Sequence, residues 1–496
     1  MMTRDQFEQL VLAGYTHIPV FRQQLADTDT PLAVFARLRD QGPAYLFESV
    51  QGGERWGRYS MIGLGQGTIL EYRKGCMTVQ RPDGVKTISC DDPLQFIREF
   101  QAQYRVPTVD QIPELPGFSG GLIGYFGYDS IRYIEPRLGD GPVLDPIGLP
   151  DIWLTLSQTV VVFDNLRDTL SLIVHVDASR PDAFDQAQQQ LDTLEQRLAQ
   201  PLRLQAQPHT MPNFVSQTGE ARFKAGVETV QEYIRAGDVM QVVPSQRMTS
   251  DFDGDALSVY RALRHLNPSP YLFLLHGQTT GDGEVFDLVG SSPEILSRLE
   301  HGIVTVRPIA GTRPRGQTVE EDQALEAELL ADSKEIAEHL MLIDLGRNDV
   351  GRVSKIGKVR VTERMTVERY SHVMHIVSNV EGEVSDGMDA LDVFRATFPA
   401  GTLSGAPKIR AMEIIDELEP VRRGVFGGAV GYLGWHGEMD TAIAIRTGVI
   451  RRGKIHVQAG AGVVADSVPS SEWNETLIKA RAVMRATELS AEGLKF

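Results

Sequence analysis

The sequence predicts an α/β (α+β) sandwich in which large, mainly antiparallel β-sheets carry helices on their outer faces. Three observations lead to this class: β-rich runs around a tight turn, amphipathic helices on both sides of a polar segment, and Gly-rich strand segments later in the chain. The 496 residues exceed one ordinary domain, and 42% hydrophobic with 23% charged residues is typical of a globular chain.

The first half supplies the hairpin and a closing helix. The apolar runs 153–163 and 170–176 flank Asp164-Asn165, which predicts two antiparallel strands joined by a turn. Segment 184–198 has apolar residues at helical spacing and polar residues on the opposite face. The predicted buried stripe consists of Phe184, Ala187, Leu191, Leu194 and Leu198.

A polar segment with three prolines follows this helix and predicts a domain boundary. We expect an N-terminal domain over 1–200, a linker over 201–214 and a C-terminal domain over 215–490.

The second half mixes helices with Gly-rich strands. The patterns predict a helix over 223–234, a strand over 239–244, and long helices over 319–345 and 471–489. The Gly-rich strand segments are 424–437 and 453–464.

Charge and composition exclude several function classes. Lys and Arg number 49 and Asp and Glu 66, so the net charge of −17 repels nucleic acid and anionic membrane surfaces. No apolar run is long enough for a membrane span, and the acidic start lacks an export signal, so we expect a cytoplasmic protein. Cys76 and Cys90, the only cysteines, are expected to be structural.

Two pairs of glutamates indicate a possible metal site. Glu335 and Glu338 are three residues apart on one predicted helix, as are Glu472 and Glu475 on another, so each pair shares a helix face. Carboxylates without nearby Cys favour Mg²⁺, but each pair is also typical of a solvated helix face, and spacing does not decide. The apolar stripes expected on other faces are Ile336, Leu340 and Ile343, and Trp473, Leu477, Ala480 and Met484.

Other local signals leave their alternatives open. Segment 401–408 is rich in small residues and ends near a helix start, which suits either a carboxylate site or a tight turn; it lacks the P-loop pattern. Gly460-Ala461-Gly462 allows close backbone approach or a bulge. His372 and His375 suit core or catalytic roles, and Arg446 requires an anionic partner if buried.

Together, several segments resemble the chorismate-utilising enzymes, in the same order along the chain. The matching segments are 290–294, 308–313, 332–349, 401–408, 427–432 and 472–475, and the resemblance spans about 215–490. The N-terminal half resembles the domain that precedes this one in anthranilate synthase component I. Its matching segments are 46–49, 57–60 and 120–125.

The resemblance implies a magnesium ion that binds the ring carboxylate of chorismate. Glu338 and Glu475 would be direct ligands, whereas Glu335 and Glu472 would act through water.

The same motifs imply where the substrate lies. Gly311, Thr312 and Gly462 would contact the ring carboxylate. Arg446 and the Gly460 backbone would hold the enolpyruvyl carboxylate. The remaining substrate-site positions are Ala461, Gln241 and Phe426, the last standing where the family has a hydrogen-bonding Tyr.

Two positions distinguish among family activities. Relatives that add water carry a Lys at the position of Gln241. Relatives that aminate the ring para to the carboxylate carry a Lys at the position of Ala310. The resemblance therefore implies a lyase that forms anthranilate and pyruvate from chorismate and ammonia, the first committed step of tryptophan biosynthesis. Glu294 would be the general acid, His375 would handle a proton and Thr402 would position groups. The rivals are aminodeoxychorismate, isochorismate and salicylate synthases, and a catalytically silent sensor.

The resemblance also implies two partners. Neither cysteine lies in a Gly-x-Cys-x-Gly elbow, so ammonia would come from glutamine through a separate amidotransferase subunit, component II, in a heteromeric complex. L-Tryptophan would be a feedback inhibitor. Its expected site residues are Leu46, Glu48, Ser49, Arg58, Pro270, Tyr271, Leu272 and Tyr432.

Overall fold

The computed structural model describes residues 2–39, 42–49, 57–65, 67–202, 204, 206–370 and 373–495. The elements up to residue 200 are α1 (Arg4–Leu12), β1 (His17–Leu25), α2 (Pro31–Leu38), β2 (Ala44–Glu48), β3 (Tyr59–Leu64), β4 (Ile69–Arg73), β5 (Cys76–Arg81), β6 (Gly84–Ser89), α3 (Pro93–Gln101), β7 (Gly121–Phe126), two 3₁₀ turns (Tyr128–Tyr133 and Pro136–Leu138), β8 (Ile152–Ser157), β9 (Thr159–Asp164), β10 (Thr169–Asp177) and α4 (Ala183–Leu198).

The elements after residue 200 are β11 (Val215–Ser216), α5 (Glu220–Ala236), β12 (Gln241–Val242), β13 (Ser245–Asp251), α6 (Ala256–Leu266), β14 (Tyr271–Gln278), β15 (Val285–Ser292), β16 (Ile295–Glu300), β17 (Ile303–Val306), β18 (Ile309–Pro314), α7 (Val319–Ala331), α8 (Ser333–Gly351), β19 (Ser354–Arg369), β20 (Val373–Val384), α9 (Ala390–Thr397), α10 (Gly401–Ser404), β21 (Gly405–Ala406), α11 (Lys408–Leu418), β22 (Ala429–Gly434), β23 (Met439–Ile443), β24 (Thr447–Arg451), β25 (Lys454–Gly460) and α12 (Pro469–Ala491).

Two large antiparallel sheets form the sandwich, which confirms the predicted fold class. Within the described ranges, the first sheet has the order β1-β10-β9-β3-β2-β14-β15-β24-β25-β13-β11. The second has the order β18-β20-β17-β16-β23-β22-β7-β8-β4-β5-β6, with β19 also paired to β20. Each sheet contains strands from both sides of 201–214, and the domain boundaries stay a prediction.

The core has two main layers. The inner layer lies between the sheets and extends around the first sheet to α4, α6 and α12, whereas the outer layer lies between the second sheet and α3, α8 and α9. Strand β8 contributes side chains to both layers, because successive residues of a strand point to opposite faces of its sheet. Trp153 points into the inner layer, and Ile152 and Leu154 point into the outer layer. In the part of the chain that is described, no helix is both long and apolar enough to cross a membrane.

The predicted hairpin is confirmed, but its first run is two strands. Strands β9 and β10 pair with Asp164 opposite Thr169. Run 153–163, however, breaks at Gln158: β8 belongs to the second sheet and β9 to the first. Nearly every residue of the run is buried because β8 lies between two core layers and β9 between the second sheet and the helices.

The helix predicted over 319–345 is also two helices. Asp332 ends α7 and caps α8, because its carboxylate accepts hydrogen bonds from the backbone N–H groups of Lys334 (3.0 Å) and Glu335 (3.3 Å). The buried face of α8 differs from the predicted stripe. Leu340 is 39% exposed, whereas His339 is fully buried beside the Ser378 hydroxyl. The strand predicted over 239–244 is shorter: it is β12, which pairs with β21.

The stripe predicted on the C-terminal helix is wrong in part. Helix α12 lies against α5, α6 and β25, and Glu472, Thr476 and Ala480 are its buried residues near the start. Trp473 and Leu477 are only half-buried. Contacts on several sides of α12 thus bury polar residues that periodicity alone assigns to solvent.

Candidate functional site

Helices α8 and α12 bring the two glutamate pairs to one cleft. Burial raises the pKa of Glu338, and the charges of Glu335 and Glu475 raise it further. Burial also raises the pKa of Glu472, with a further contribution from Glu475. The charge of Glu475 thus acts on both Glu338 and Glu472, so the two helices hold these glutamates near one another, although Glu472 belongs to the buried side of its helix.

The carboxylates do not meet at a single point. Glu335 lies 3.4 Å from the Arg313 guanidinium, and Glu475 pairs with the Lys479 ammonium at 2.7 Å. Among the described residues, no three His, Cys, Asp or Glu side chains are close enough to hold an ion as they stand.

Strand β12 places Gln241 between two segments of the site. It pairs with β21 on one side, and Val242 forms a bridge with Val463 on the other. The Gln241 amide nitrogen donates to Glu338 (3.1 Å), and its buried amide oxygen has no hydrogen-bond partner in the described structure. A Cβ at Gly462 would lie 2.6 Å from that amide nitrogen, so a side chain there would require the Gln241 amide to move.

The loop after β25 presents backbone to the cleft. The Gly460 carbonyl accepts a hydrogen bond from Lys479 Nζ at 3.1 Å. Ala461 is fully buried and donates its N–H to the Pro244 carbonyl at 3.1 Å. Lys479 thus contacts both the loop and Glu475. The sequence analysis missed Lys479, which its position four residues after Glu475 on one helix could have indicated.

Strands β18 and β20 join Gly311, Thr312 and His375. Gly311 has a left-handed backbone (φ 68°), and a Cβ there would lie 3.2 Å from a Glu335 oxygen. His375 Nδ1 lies 3.0 Å from the Gly311 carbonyl and 3.1 Å from the Thr312 hydroxyl. Because a carbonyl only accepts, Nδ1 carries the proton and Nε2 is left as an acceptor. Burial lowers the pKa of His375 to about 4, so the ring is neutral at pH 7.

Glu294 is a buried carboxylic acid at the start of β16. Burial raises its pKa to about 8, against the lowering effects of the Thr402 hydrogen bond and of the Lys479 and Arg446 charges. The Thr402 hydroxyl lies 2.9 Å from Glu294 Oε1. Glu294 is therefore mainly protonated at neutral pH, as a proton donor requires.

Arg446 lies between β23 and β24 in a left-handed conformation (φ 49°). Burial lowers its pKa, and Tyr370 and Glu294 are the groups whose charges act on it. Within the described ranges, its guanidinium makes no side-chain hydrogen bond or ion pair, so it can accept an anionic ligand.

Tyr370 is a second residue that the sequence analysis missed. Its ring centroid lies 5.5 Å from that of His375, and its hydroxyl donates to Glu368 (2.9 Å). No pattern in the sequence singles it out.

Two of the predicted positions remain, Phe426 and His372. Phe426 is buried in the outer core layer with its ring 5.5 Å from the Arg423 guanidinium, and it offers no hydrogen bond. His372 lies outside the described residues.

A second cavity, of about 1090 Å³, opens between the two sheets. It is lined by seven residues of the predicted tryptophan site. These are Glu48, Ser49, Arg58, Pro270, Tyr271, Leu272 and Tyr432. Leu46 is the exception, since it is fully buried opposite Leu274 and does not line the cavity.

Hydrogen bonds fix the cavity wall. Tyr260 (2.5 Å) and Arg264 (3.1 Å) hold the Glu48 carboxylate, and the Tyr271 hydroxyl donates to Asp440 at 2.8 Å. The wall is therefore ordered by contacts within the protein itself.

Comparison with known proteins places this architecture in a family. Residues 27–485 match the model of the chorismate binding enzymes. Anthranilate synthase component 1 of Acinetobacter calcoaceticus is 70% identical over the full length of both chains, and that of Pseudomonas aeruginosa is 55% identical over the same extent.

Solved structures agree. The crystal structure of anthranilate synthase component I from Streptococcus pneumoniae superposes with a TM-score of 0.76 at 37% identity, covering 93% of this chain and 99% of the other. The isochorismate synthase MenF of Escherichia coli has a TM-score of 0.70 at 18% identity over 98% of this chain and 99% of its own, which shows a shared fold. The chain therefore belongs to the chorismate binding enzymes and, within them, to the anthranilate synthase component 1 proteins.

Proposed function

We propose that this chain converts chorismate and ammonia to anthranilate and pyruvate. The observation that carries the proposal is the buried Glu294 carboxyl, held by Thr402 and close enough to Arg446 for the two charges to act on each other, while the Arg446 guanidinium has no ion pair among the described residues. This arrangement provides an acid for a leaving hydroxyl beside a cation for a substrate carboxylate. The 70% identity to a component 1 chain supports the same reaction.

Chorismate is held through its two carboxylates. The ring carboxylate lies at Gly311-Thr312 and Gly462, where the two glycines let the backbone approach a ligand closely. The enolpyruvyl carboxylate lies at Arg446 and Gly460. A planar guanidinium suits this role because it can donate two parallel hydrogen bonds to one carboxylate.

Magnesium is the proposed cofactor. Glu338 and Glu475 would be its direct ligands, and Glu335 and Glu472 would act through water. The donor set fits, because hard carboxylate oxygens suit Mg²⁺, and a divalent cation would offset the negative charges that raise the pKa of Glu338 and of Glu472. When bound, Mg²⁺ neutralises and orients the ring carboxylate.

The first chemical step is attack by ammonia on the ring carbon beside the carboxylate. A C–N bond forms and the ring hydroxyl departs as water with the proton of Glu294. Thr402 keeps that carboxyl in place through its 2.9 Å hydrogen bond. The added nitrogen then loses a proton, which restores the acid, so no proton is gained or lost in this step.

The second step removes pyruvate. His375 Nε2 accepts the proton from the ring carbon that carries nitrogen, the bond from the ring to the enol oxygen breaks, and the released enolate takes up a proton at its methylene carbon to become pyruvate. The neutral state and the Nδ1–H tautomer of His375 suit this role.

The choice among family reactions follows from two residues. Gln241 is an amide held by Glu338 and cannot deprotonate water, which disfavours isochorismate and salicylate formation. Ala310 offers no nucleophile for amination at the para carbon.

Ammonia comes from glutamine through component II, a separate amidotransferase subunit. Cys76 is exposed on β5 and Cys90 is half-buried after β6, and neither adjoins the cleft residues named above. L-Tryptophan binds the cavity between the sheets and inhibits the reaction, which its seven predicted wall residues support.

A product assay tests the proposal. The purified chain is incubated with chorismate, Mg²⁺ and ammonium, and products are followed by fluorescence and mass spectrometry. Anthranilate that disappears when EDTA is added supports the reaction and the metal. Formation of 4-amino-4-deoxychorismate or isochorismate would refute the assignment of Ala310 or Gln241.

A further inference from the structure

Glu419 and Arg423 form a buried ion pair behind the cleft that no step of the reaction uses. Both side chains are at most 5% exposed. Arg423 donates to both Glu419 oxygens, from Nε at 2.9 Å and from Nη2 at 2.6 Å. Burying such a pair is costly, and replacing it by apolar groups is often neutral or stabilising, so stability alone does not explain it.

The remaining donors of Arg423 reach the backbone of two site segments. Nη1 donates to the Leu403 carbonyl at 2.7 Å, and Nη2 donates to the Val243 carbonyl at 2.6 Å. Leu403 directly follows Thr402, and Val243 lies two residues after Gln241. The guanidinium therefore joins the turn that carries Thr402 to the strand that carries Gln241.

Glu419 adds a third segment. Its Oε1 accepts hydrogen bonds from the Ser245 backbone N–H (2.8 Å) and hydroxyl (2.7 Å). Ser245 is the β-sheet partner of Gly460, and the neighbouring Pro244 carbonyl accepts from Ala461 (3.1 Å). The ion pair is thereby connected to the loop that presents the Gly460 carbonyl.

We propose that Glu419 and Arg423 are positioning residues, which fix Thr402 relative to Gln241 and the Gly460 loop without touching the reacting atoms. The guanidinium is suited to this because its fork reaches three acceptor groups in fixed directions, which a lysine ammonium on a flexible stem cannot reproduce. The inference deepens the proposed function and rests on it.

The test compares Arg423→Lys and Glu419→Gln with Arg132→Lys as a matched control. Arg132 also has a largely buried side chain, pairs with Asp416 of helix α11 (2.9 Å), three residues before Glu419, and bonds none of the described site segments. We expect Arg423→Lys to lower kcat about 10- to 100-fold, as a small misplacement of a catalytic group does. The control should keep kcat within about twofold, since its lost contacts lie outside the site.

A second readout separates positioning from mere support of the fold. Displacing Thr402 removes a hydrogen bond that favours the ionised Glu294, so the pKa of Glu294 should rise in Arg423→Lys as it does in Thr402→Val. Infrared difference spectra against pH report this titration, with the band assigned by its loss in Glu294→Gln. The double variant Arg423→Lys/Thr402→Val should show no further shift beyond Thr402→Val.

The outcomes are distinguishable from failure of the proposed function. Wild-type turnover reports the function, whereas the infrared titration needs no turnover. The positioning role would be overturned if Arg423→Lys left kcat unchanged. It would also be overturned if the variant only lowered the fraction of active enzyme and left the Glu294 titration unchanged. Failure of both variants to fold, judged by circular dichroism, would show a purely architectural pair and would also overturn it.

Discussion

The protonation of Glu294 sets an alkaline limit on turnover. Burial raises the pKa of this carboxyl to about 8. The acid is then about nine tenths protonated at pH 7 and about one eleventh protonated at pH 9, so kcat should fall roughly tenfold between them. Only the protonated form of Glu294 can donate a proton. Activity is therefore present below pH 8 and is lost as the pH rises through 8.

The assay is the initial rate of anthranilate formation at saturating chorismate and Mg²⁺. Total ammonium is adjusted so that free ammonia is equal at every pH. Glu294→Gln, which keeps the size and the Thr402 contact, should lower kcat about 10²- to 10⁴-fold, the usual contribution of a general acid.

Glu438→Gln is the matched control, measured without tryptophan. Burial raises the pKa of Glu438 to about 7, but this carboxyl lines the second cavity rather than the cleft. Removal of the Glu438 carboxyl should leave the fall of kcat between pH 7 and 9 unchanged. A flat profile between pH 7 and 9, or a Glu294→Gln enzyme with more than a tenth of wild-type kcat, would refute the assignment.

Three further predictions follow from the same geometry. Arg446→Met removes the unpaired guanidinium, and it should lower kcat/KM for chorismate about 10²- to 10³-fold, mainly through KM, in steady-state kinetics. Glu338→Gln removes a proposed metal ligand, and calorimetric titration should show Mg²⁺ binding weakened at least about tenfold, whereas wild-type affinity would contradict its role. Ser49→Phe fills part of the second cavity, so it should keep turnover and lose inhibition by tryptophan; retained inhibition with normal activity would exclude this cavity as the regulatory site.

The features that the sequence predicts well are local. The hairpin at Asp164-Asn165 and the helix Ala183–Leu198 follow from short-range periodicity, because apolar residues at fixed spacing need one buried face. The glutamate pairs follow equally from spacing on one helix. Their convergence was predictable only through the family resemblance, since helix faces do not show which helices meet.

Most of the features that it misses depend on contacts distant in sequence. The break at Gln158 arises because the chain passes from one sheet to the other, and β-rich sequence continues on both sides of it. Asp332 is a local exception, since it resembles an ordinary polar residue inside a helix and only its hydrogen bonds identify it as a cap. The Glu419–Arg423 pair likewise resembles a solvated helix pair in sequence, and only its backbone partners reveal its position behind the cleft.

Isotope labelling tests directly whether the chain forms anthranilate from chorismate and ammonia. The purified chain is supplied with chorismate, Mg²⁺ and ¹⁵N-ammonium, without any partner subunit, and the products are followed by NMR. The proposed reaction predicts anthranilate labelled on the nitrogen beside the carboxylate, with one pyruvate for each chorismate consumed. A label at the para position, an unlabelled hydroxylated product or unchanged chorismate would contradict it.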